Sequence, residues 1–596
     1  MTRKKFTGAI CMLVTAVLIV PFILSGCNSG QGSDKKTPST MADQTQKEDT
    51  KSADEQESNK EESKQQETEK PKNNFPTQEL IGADGKRITN FFGIHTMIYP
   101  EDDMKQHMDW AEHLIGKGGY VKERFEPITP KTQGPASQWV AFLKECYERE
   151  LIPVVKIGGA FQGDKWAGPE ATGPNDYSGL AAAVKRVFEQ LPMKKGVPIY
   201  VELFNEPNLR FEWGGEMPNP REYGHLLVQL ADALHSIGDP RIRVMNGALS
   251  PGGDYHHLKF LETMIKTVPE SLWAFDVWAT HPYPYNHPPE YNIHDGTAIY
   301  KEHAIDSYMQ ELKILERYGR KDTKVILTET GYELGNEWYT TKLSTAEDFP
   351  AIDDENRKDY TMRAFRDYWS KWPEIIAVCP FEMAAVQPRN WGNFDWIYID
   401  SGSDDKGYPT NPHPHYDAVA ALPKPPYVPD PSLQNTEDKN MDLPASNDNI
   451  ALGAKVDAST TMDNWGWEMS KINNGFTADS DLGWTSAGEE QEEWVTYEFK
   501  EEREFSKVVL VPRSDGIEVG KYFPQEYQIQ VSNDGKTWNT VYTHKNQTGE
   551  VFNPGAEPQT CTFDKVKGKF MRLLITRKTN HGEGGYHAQL SEMEVY

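Results

Sequence analysis

Between residues 75 and 425, short apolar runs alternate with longer amphipathic ones, and no short internal repeat is visible. Eight of the apolar runs read as buried strands, at 90–98, 119–126, 151–157, 197–205, 241–246, 273–280, 323–329 and 374–382. Helical stretches separate most of them. The clearest sets Ile305, Tyr308, Met309, Leu312 and Leu315 on one face and stops at Gly319. Eight strand and helix units in about 350 residues predict an α/β fold, the (β/α)8 TIM barrel, whose active site lies at the carboxyl ends of the strands. The alternative, an open doubly wound sheet, calls for a glycine-rich phosphate turn after the first strand. Here Phe92-Gly93-Ile94-His95 leads instead into Tyr99-Pro100.

From residue 449 the pattern shifts to short alternating segments, at 494–499, 507–511, 527–532 and 569–575, divided by turn signals such as Asn533-Asp534-Gly535. An all-β jelly-roll sandwich is expected over 449–596. Pro423, Pro425, Pro426, Pro429 and Pro431 mark a stiff, extended linker over 426–448. At the other end, Arg3, Lys4 and Lys5 precede the apolar run from Ile10 to Leu24, which closes in Ser25-Gly26-Cys27. A basic stretch, an apolar stretch and a small-residue cleavage site read as an export signal over 1–27. The segment resembles a bacterial lipoprotein signal, which implies cleavage before Cys27 and lipid on its sulfur, so that the protein faces outward on the cell membrane. A plain signal peptide or an uncleaved anchor helix is the alternative, and either also exports the chain. Residues 28–74 contain almost no large apolar side chain and read as a disordered tether.

Composition narrows the partners. A net charge of -27 and a pI near 5.1 argue against nucleic acid, whose phosphates call for a basic surface. Aromatic residues at 11% suit a folded protein that stacks sugars, although most will be core. Cys146, Cys379 and Cys561 lie far apart with neither metal-ligand nor disulfide spacing, and buried free thiols are expected.

Two of the expected strands end in glutamate: Val201-Glu202-Leu203-Phe204-Asn205-Glu206-Pro207 on the fourth and Val325-Ile326-Leu327-Thr328-Glu329 on the seventh. Two carboxylates from separate buried strands are what glycosidic-bond cleavage requires, one to protonate the leaving oxygen and one to attack or assist at the sugar carbon. Asn205-Glu206-Pro207 and Thr328-Glu329-Thr330-Gly331 resemble clan A glycoside hydrolases and are loosely similar to families 39 and 5. The resemblance implies a retaining mechanism with Glu206 as acid/base, Glu329 as nucleophile and Asn205 on the sugar 2-hydroxyl. It also makes Tyr283 and His281, after strand six, candidates to hydrogen-bond the nucleophile. Arg124, after strand two, is similar to the clan's arginine near the nucleophile, with Lys122 and Glu126 close enough to leave its register open. His95 after strand one is a further sugar-contact candidate. Strand eight carries Pro380-Phe381-Glu382-Met383 where many relatives place a tryptophan, so the sugar platform is expected from Trp391 or Trp396. Trp166, Trp213 and Trp338 lie in loops on the same side, and Glu333 and Glu382 are extra acids near the mouth.

The terminal segment resembles discoidin, or coagulation factor 5/8 type C, domains and family 32 carbohydrate-binding modules. The carrying residues are Ile472-Asn473-Asn474-Gly475-Phe476, Trp484-Thr485-Ser486, Pro512-Arg513, the turn before Trp538 and Leu590-Ser591-Glu592-Met593-Glu594-Val595. The resemblance implies a structural calcium near Asn474, which replaces the usual aspartate, and Glu592. It also implies glycan binding by loop aromatics and an arginine, with Trp465, Trp467, Arg513 and Tyr522 as candidates and Trp484 and Trp538 as core. The expectation from the whole chain is a lipid-anchored retaining β-glycosidase. It would act on an extracellular poly- or oligosaccharide and use no catalytic cofactor. The rival expectations are a non-catalytic surface glycan-binding lipoprotein and a transglycosylase remodelling envelope glycan.

Overall fold

The computed structural model describes residues 79–98, 104–162, 165–335, 349–384, 392–399, 409–443, 449–452, 454–462, 467–473, 483–513, 519–546, 550–580 and 585–596. Cys27, Trp338, Trp391, Trp465 and Asn474 lie outside them.

The chain begins as strand and helix in alternation. The strands are β1 (Gly93–His95), β2 (Tyr120–Phe125), β3 (Ile152–Ile157), β4 (Ile199–Leu203), β5 (Ile242–Asn246), β6 (Trp278–Thr280), β7 (Val325–Leu327) and β8 (Ile375–Val378). Between them run α1 (Met104–Ile115), α2 (Ser137–Glu148), α3 (Ser178–Gln190), α4 (Pro220–His235), α5 (His257–Thr267), α6 (Ser271–Ala274), α7 (Met309–Arg317) and α8 (Asp354–Arg363). Pairing among these eight strands is parallel, in a sheet ordered β1-β2-β3-β4-β5 and another ordered β6-β7-β8. Parallel bridges join Met245 of β5 to Val277 and Phe92 to Val378 of β8.

Every strand is buried on both faces, as parallel strands covered by helices are. In β4, Ile199, Val201 and Leu203 enter the outer cluster beneath the helices, while Tyr200 joins an inner cluster with Tyr120, Ile152, Val154, Met245, Val277 and Ile326. Two residues further along the inner face, Tyr200 is followed by Glu202 and Tyr120 by Lys122, both fully buried. The interior therefore turns from apolar to charged toward the carboxyl ends of the strands.

Some elements differ from the sequence reading. Trp273 lies in α6 and not in a strand, and β6 starts only at Trp278. The clear helix starts at Met309, with Ile305 and Tyr308 buried ahead of it and Gly319 closing it at φ +103°. The segment expected as a free spacer lies against the large domain. Tyr427 packs beside the inner cluster and touches Gly118, whose φ of +73° and lack of a Cβ admit the ring. Arg241 Nη1 donates to Met193 O (3.0 Å) and Glu437 O (2.7 Å), Met193 bridges Lys439, and Leu433 is fully buried. Gly118, Met193 and Arg241 precede β2, β4 and β5, so residues 427–443 strap the end of the domain opposite the charged layer.

The C-terminal part is a β-sandwich with its own core of residues such as Trp484, Val495, Tyr497, Leu510, Ile529, Leu573 and Met593. The strands β9 (Ile397–Ile399) and β10 (Pro409–Pro412) form a separate antiparallel pair in the large domain, and β17 (Thr579–Asn580) and β18 (Tyr586–His587) form another in the sandwich. The main antiparallel strands of the sandwich, β12 (Trp484–Thr485), β13 (Glu493–Pro512), β14 (Glu526–Ser532), β15 (Asn539–Lys545), β16 (Gln559–Arg577) and β19 (Gln589–Val595), order as β12-β19-β13-β16-β14-β15. A further strand, β11 (Lys455–Ala458), pairs β13. The two runs expected at 494–499 and 507–511 are one long strand, with pairing irregularities at Glu498/Arg503 and Phe505/Lys507. Cys146, Cys379 and Cys561 are free and buried, as expected. Among the described residues no helix is long and apolar enough to cross a membrane.

Candidate active site

β4 and β7 end where the charged layer opens. Phe204 and Glu206 have φ of +70° and +32°, a left-handed turn uncommon outside glycine that swings the Glu206 carboxyl away from the strand line. The Glu206 and Glu329 side chains are 14% and 11% exposed, so both remain reachable. His281 stands between them, its Nδ1 2.9 Å from Glu206 Oε1 and 3.7 Å from Glu329 Oε2. Those oxygens can be no farther apart than the two distances laid end to end. That bound sits at the bottom of the ~6.5–9.5 Å range of inverting carboxylate pairs and admits the ~5–5.5 Å of retaining ones.

Each oxygen of Glu329 has a partner. Lys122 Nζ donates to Oε1 at 3.0 Å and Tyr283 OH donates to Oε2 at 2.9 Å, which fixes the plane of the carboxylate. Burial alone would raise this acid. The charges of His281 and Lys122 and the Lys122 hydrogen bond outweigh it and hold Glu329 well below the usual carboxylate range. Lys122 also meets Glu202 Oε2 at 3.0 Å. Burial works against its charge, and Glu202 and Glu329 restore it above the ordinary lysine value. Burial likewise opposes charging His281, while Glu329 and the Glu206 hydrogen bond raise its proton affinity above normal.

The other expected residues lie at varying distances from this centre. His95 is 1% exposed with Nδ1 3.7 Å from Glu329 Oε1, and burial followed by Lys122 holds it well below its normal value. It is a neutral neighbour of Glu329, sealed from any ligand outside. The cation on Glu329 is Lys122, two residues before Arg124, whose guanidinium lies 5.8 Å from the Trp166 ring. Asn205 hydrogen-bonds the carboxyl of Glu212, a residue the sequence reading passed over. Glu212 is pushed up to about 8 by burial, with Glu206 and Glu126 adding and Lys156 opposing.

Of the two tryptophans expected as a platform, Trp391 lies outside the described residues and Trp396 is turned into the core. Trp396 is 3% exposed and packs edge-on against His415 at 4.5 Å, because Trp396 N bonds back to Glu382 O and Met383 O and turns the indole inward. The rings beside the carboxylates are Phe381, 5.4 Å from His95, and Phe394, 5.7 Å from Tyr283. Trp213 is buried, Glu382 is 1% exposed, and Trp166 carries the half-exposed Phe161 at 5.1 Å. Glu202 did leave a signal, since it is the one charged residue inside the otherwise apolar β4, whereas Lys122 is followed by Glu123 and Arg124 in β2 and does not stand out.

In the sandwich, Arg513 stacks 5.3 Å over Trp467 and donates to Gln589 Oε1 at 2.9 Å. Gln589 N donates to Tyr522 O, and Tyr522 meets the His587 ring edge-on at 5.4 Å. Trp467 and Tyr522 are both 6% exposed, so Arg513 is the polar edge of this group. Trp484 is core as expected, but Trp538 is half-buried at the surface under Arg572, 4.1 Å away. Glu592 is fully buried, and among the described residues no three His, Cys, Asp or Glu side chains gather to hold a metal. Asn474, the other residue expected at the ion, lies outside the described residues.

Comparison with known proteins places one part of the chain. The F5/8 type C domain model matches residues 455–590, from β11 into β19. No curated protein matches the chain. A solved structure of chitosan-binding module 1 from a chitosanase/glucanase of Paenibacillus sp. IK-5 aligns at 26% identity over 25% of this chain and 98% of that one, with a TM-score of 0.20. A CBM32 module of a Clostridium perfringens GH89 protein, in complex with GalNAc-β-1,3-galactose, aligns at 20% identity over 24% of this chain and 94% of its own, with a TM-score of 0.20. The family 32 module of C. perfringens NanJ, in complex with galactose, aligns at 17% identity over 24% and 91%, with a TM-score of 0.19.

Proposed function

We propose that the chain is a retaining glycoside hydrolase built on a (β/α)8 barrel of the clan A type, carrying a carbohydrate-binding sandwich and anchored outside the cell by lipid on Cys27. The observation that carries the reading is the pair Glu206 and Glu329, reachable, on strand ends four and seven, and joined through His281. The bridges from β5 toward β6 and from β8 back to Phe92 support the barrel.

The geometry supports a two-step reaction. With a sugar between the carboxylates, Glu329 attacks the anomeric carbon as Glu206 gives its proton to the departing glycosidic oxygen. The carbon–oxygen bond breaks and a glycosyl ester forms on Glu329. Glu206, now ionised, takes a proton from water, whose oxygen attacks the same carbon, and the ester bond breaks to release Glu329. Lys122 and Tyr283 keep the nucleophile ionised and oriented throughout its attack. Asn205, held by Glu212, sits beside the acid where a 2-hydroxyl would come. In the sandwich, Arg513 with Trp467 would hold the glycan.

Glu329→Ala and Glu206→Ala should each lower kcat by about 10³-fold or more, roughly 4 kcal/mol of barrel-site stabilisation. Azide should restore turnover in one of them with net inversion: the Glu329 variant. A screen of aryl glycosides and plant, fungal and bacterial polysaccharides supplies the substrate. Near-normal activity in Glu329→Ala would overturn the assignment.

A further inference from the structure

Beneath the two reachable carboxylates lies a third that is sealed from solvent. Glu202 points inward from β4 with no exposure. Its Oε1 accepts from Ala248 N at 3.1 Å and from Thr328 Oγ1 at 3.1 Å, and its Oε2 meets Lys122 Nζ at 3.0 Å. Nε2 of His281 lies 3.7 Å from Glu202 Oε1. Glu202 therefore touches both groups that handle the catalytic pair: Lys122, which holds Glu329, and His281, which holds Glu206. We infer that Glu202 is a positioning residue coupling the two catalytic carboxylates, through a shared ammonium on one side and a shared imidazole on the other. The inference rests on the retaining reading above.

Charge balance gives the reason for a second carboxylate on Lys122. A buried ammonium left without a counter-charge is strongly destabilising. When Glu329 becomes a glycosyl ester it loses its charge, and with Glu329 as sole partner Lys122 would be stranded at that moment. Glu202 keeps it paired through both steps. In the free enzyme the ammonium is divided between two carboxylates, so Glu329 is held ionised without being fully neutralised as a nucleophile. The groups facing this core from the surrounding elements are few. Glu202 meets Lys122 from β2, Thr328 after β7, Ala248 after β5 and His281 after β6, with Cys379 after β8 and Tyr223 on α4 also within electrostatic reach. His281 meets Glu206, Glu329, Lys122 and Glu202, and Glu311 on α7 feels its charge.

The test is Glu202→Gln, which keeps the size and the hydrogen bonds from Ala248 and Thr328 but removes the charge. The probes are 2,4-dinitrophenyl glycosides of glucose, mannose, galactose, xylose and N-acetylglucosamine, of which the one turned over by the wild type is used. With one negative charge gone, both limbs of the pH dependence of kcat/KM should move to lower pH by about half a unit or more, and kcat should fall about tenfold with KM little changed. The double variant Lys122→Met/Glu202→Gln should behave oppositely on the acid limb, which moves to higher pH because Glu329 loses its ammonium. A melting curve establishes that each variant folds, and the double variant, with no buried charge left unpaired in this couple, serves if the single one does not.

A substrate-free measurement separates this inference from the function it rests on. In histidine-labelled full-length protein, the His281 imidazole resonance, assigned by its loss in His281→Gln, should titrate at lower pH in Glu202→Gln than in the wild type. If the wild type turns over none of the probes, the hydrolase reading fails and the imidazole titration decides the coupling alone. Unmoved limbs with only a lower kcat, or an unmoved His281 midpoint, overturn it.

Discussion

His294 is gripped at both ring nitrogens, Nδ1 at 2.5 Å from Asp306 Oδ2 and Nε2 at 2.9 Å from Glu374 Oε1, and its ring stacks on Trp372 at 4.1 Å. Burial disfavours its charge, but the two carboxylates win and raise it to about 9. The folded value thus lies above the unfolded one near 6.5. The imidazolium clamp contributes its full stability below about pH 6.5, and that contribution is lost as pH rises through 9. The melting temperature of the wild type relative to His294→Gln should therefore shrink between pH 6.5 and 9, by about 2–4 °C for each kcal/mol the clamp supplies. A constant difference across that window would mean the ring is held neutral. At this scale the sequence exposed the two strand-terminal glutamates, because a carboxylate at the end of an apolar run has no core role to explain it. It did not expose His294, whose partners lie on segments distant in sequence, nor the choice of Lys122 over Arg124. That choice depends on which of two residues, both on the inward side of β2, stops level with the end of β7.

The strands were legible as elements because burial on both faces makes a strand a continuous apolar run, but their ends were not. Apolar residues continue from Ser271-Leu272-Trp273-Ala274 into β6, and hydrophobicity alone does not distinguish that helical turn from the strand beyond it. In β13 the exposed stretch Lys500-Glu501-Glu502-Arg503 read as a break, since an extended segment with both faces in water shows no alternation. The strap misled for a different reason. Its prolines do make it extended, but Tyr427 meets Gly118 before β2, Glu437 and Lys439 meet Arg241 and Met193 before β5 and β4, and Leu433 is buried, all only in three dimensions. Leu433 is fully buried, so Leu433→Ala should cost about 2–4 kcal/mol and lower the melting temperature of the large domain by several degrees. A free spacer would tolerate the same change without effect, and differential scanning calorimetry of the two proteins decides between them.

On the scale of the whole chain, the sandwich and the charge of -27 pull in different directions on one substrate question. An acidic protein gains nothing from long-range attraction to an acidic polymer, so on the proposed function retention at such a glycan would rest on short-range contacts such as those of Arg513, which stacks over Trp467. If the proposed function holds and the sandwich grips the same polymer that the large domain cuts, tethering converts each catalytic encounter into a local one at millimolar effective concentration. Its contribution should then appear only where the substrate offers both sites at once. A chain ending at residue 448, which keeps the strap and lacks the sandwich, should cleave a soluble oligosaccharide with kcat/KM within about twofold of the full chain, yet need about tenfold more insoluble polysaccharide for half-maximal rate. Arg513→Ala in the full chain should reproduce most of that loss, and both proteins should be depleted less by the insoluble polymer in a sedimentation assay. Equal losses on soluble and insoluble substrates would instead mean that the sandwich supports the fold of the large domain, and unchanged sedimentation would place the glycan contact elsewhere.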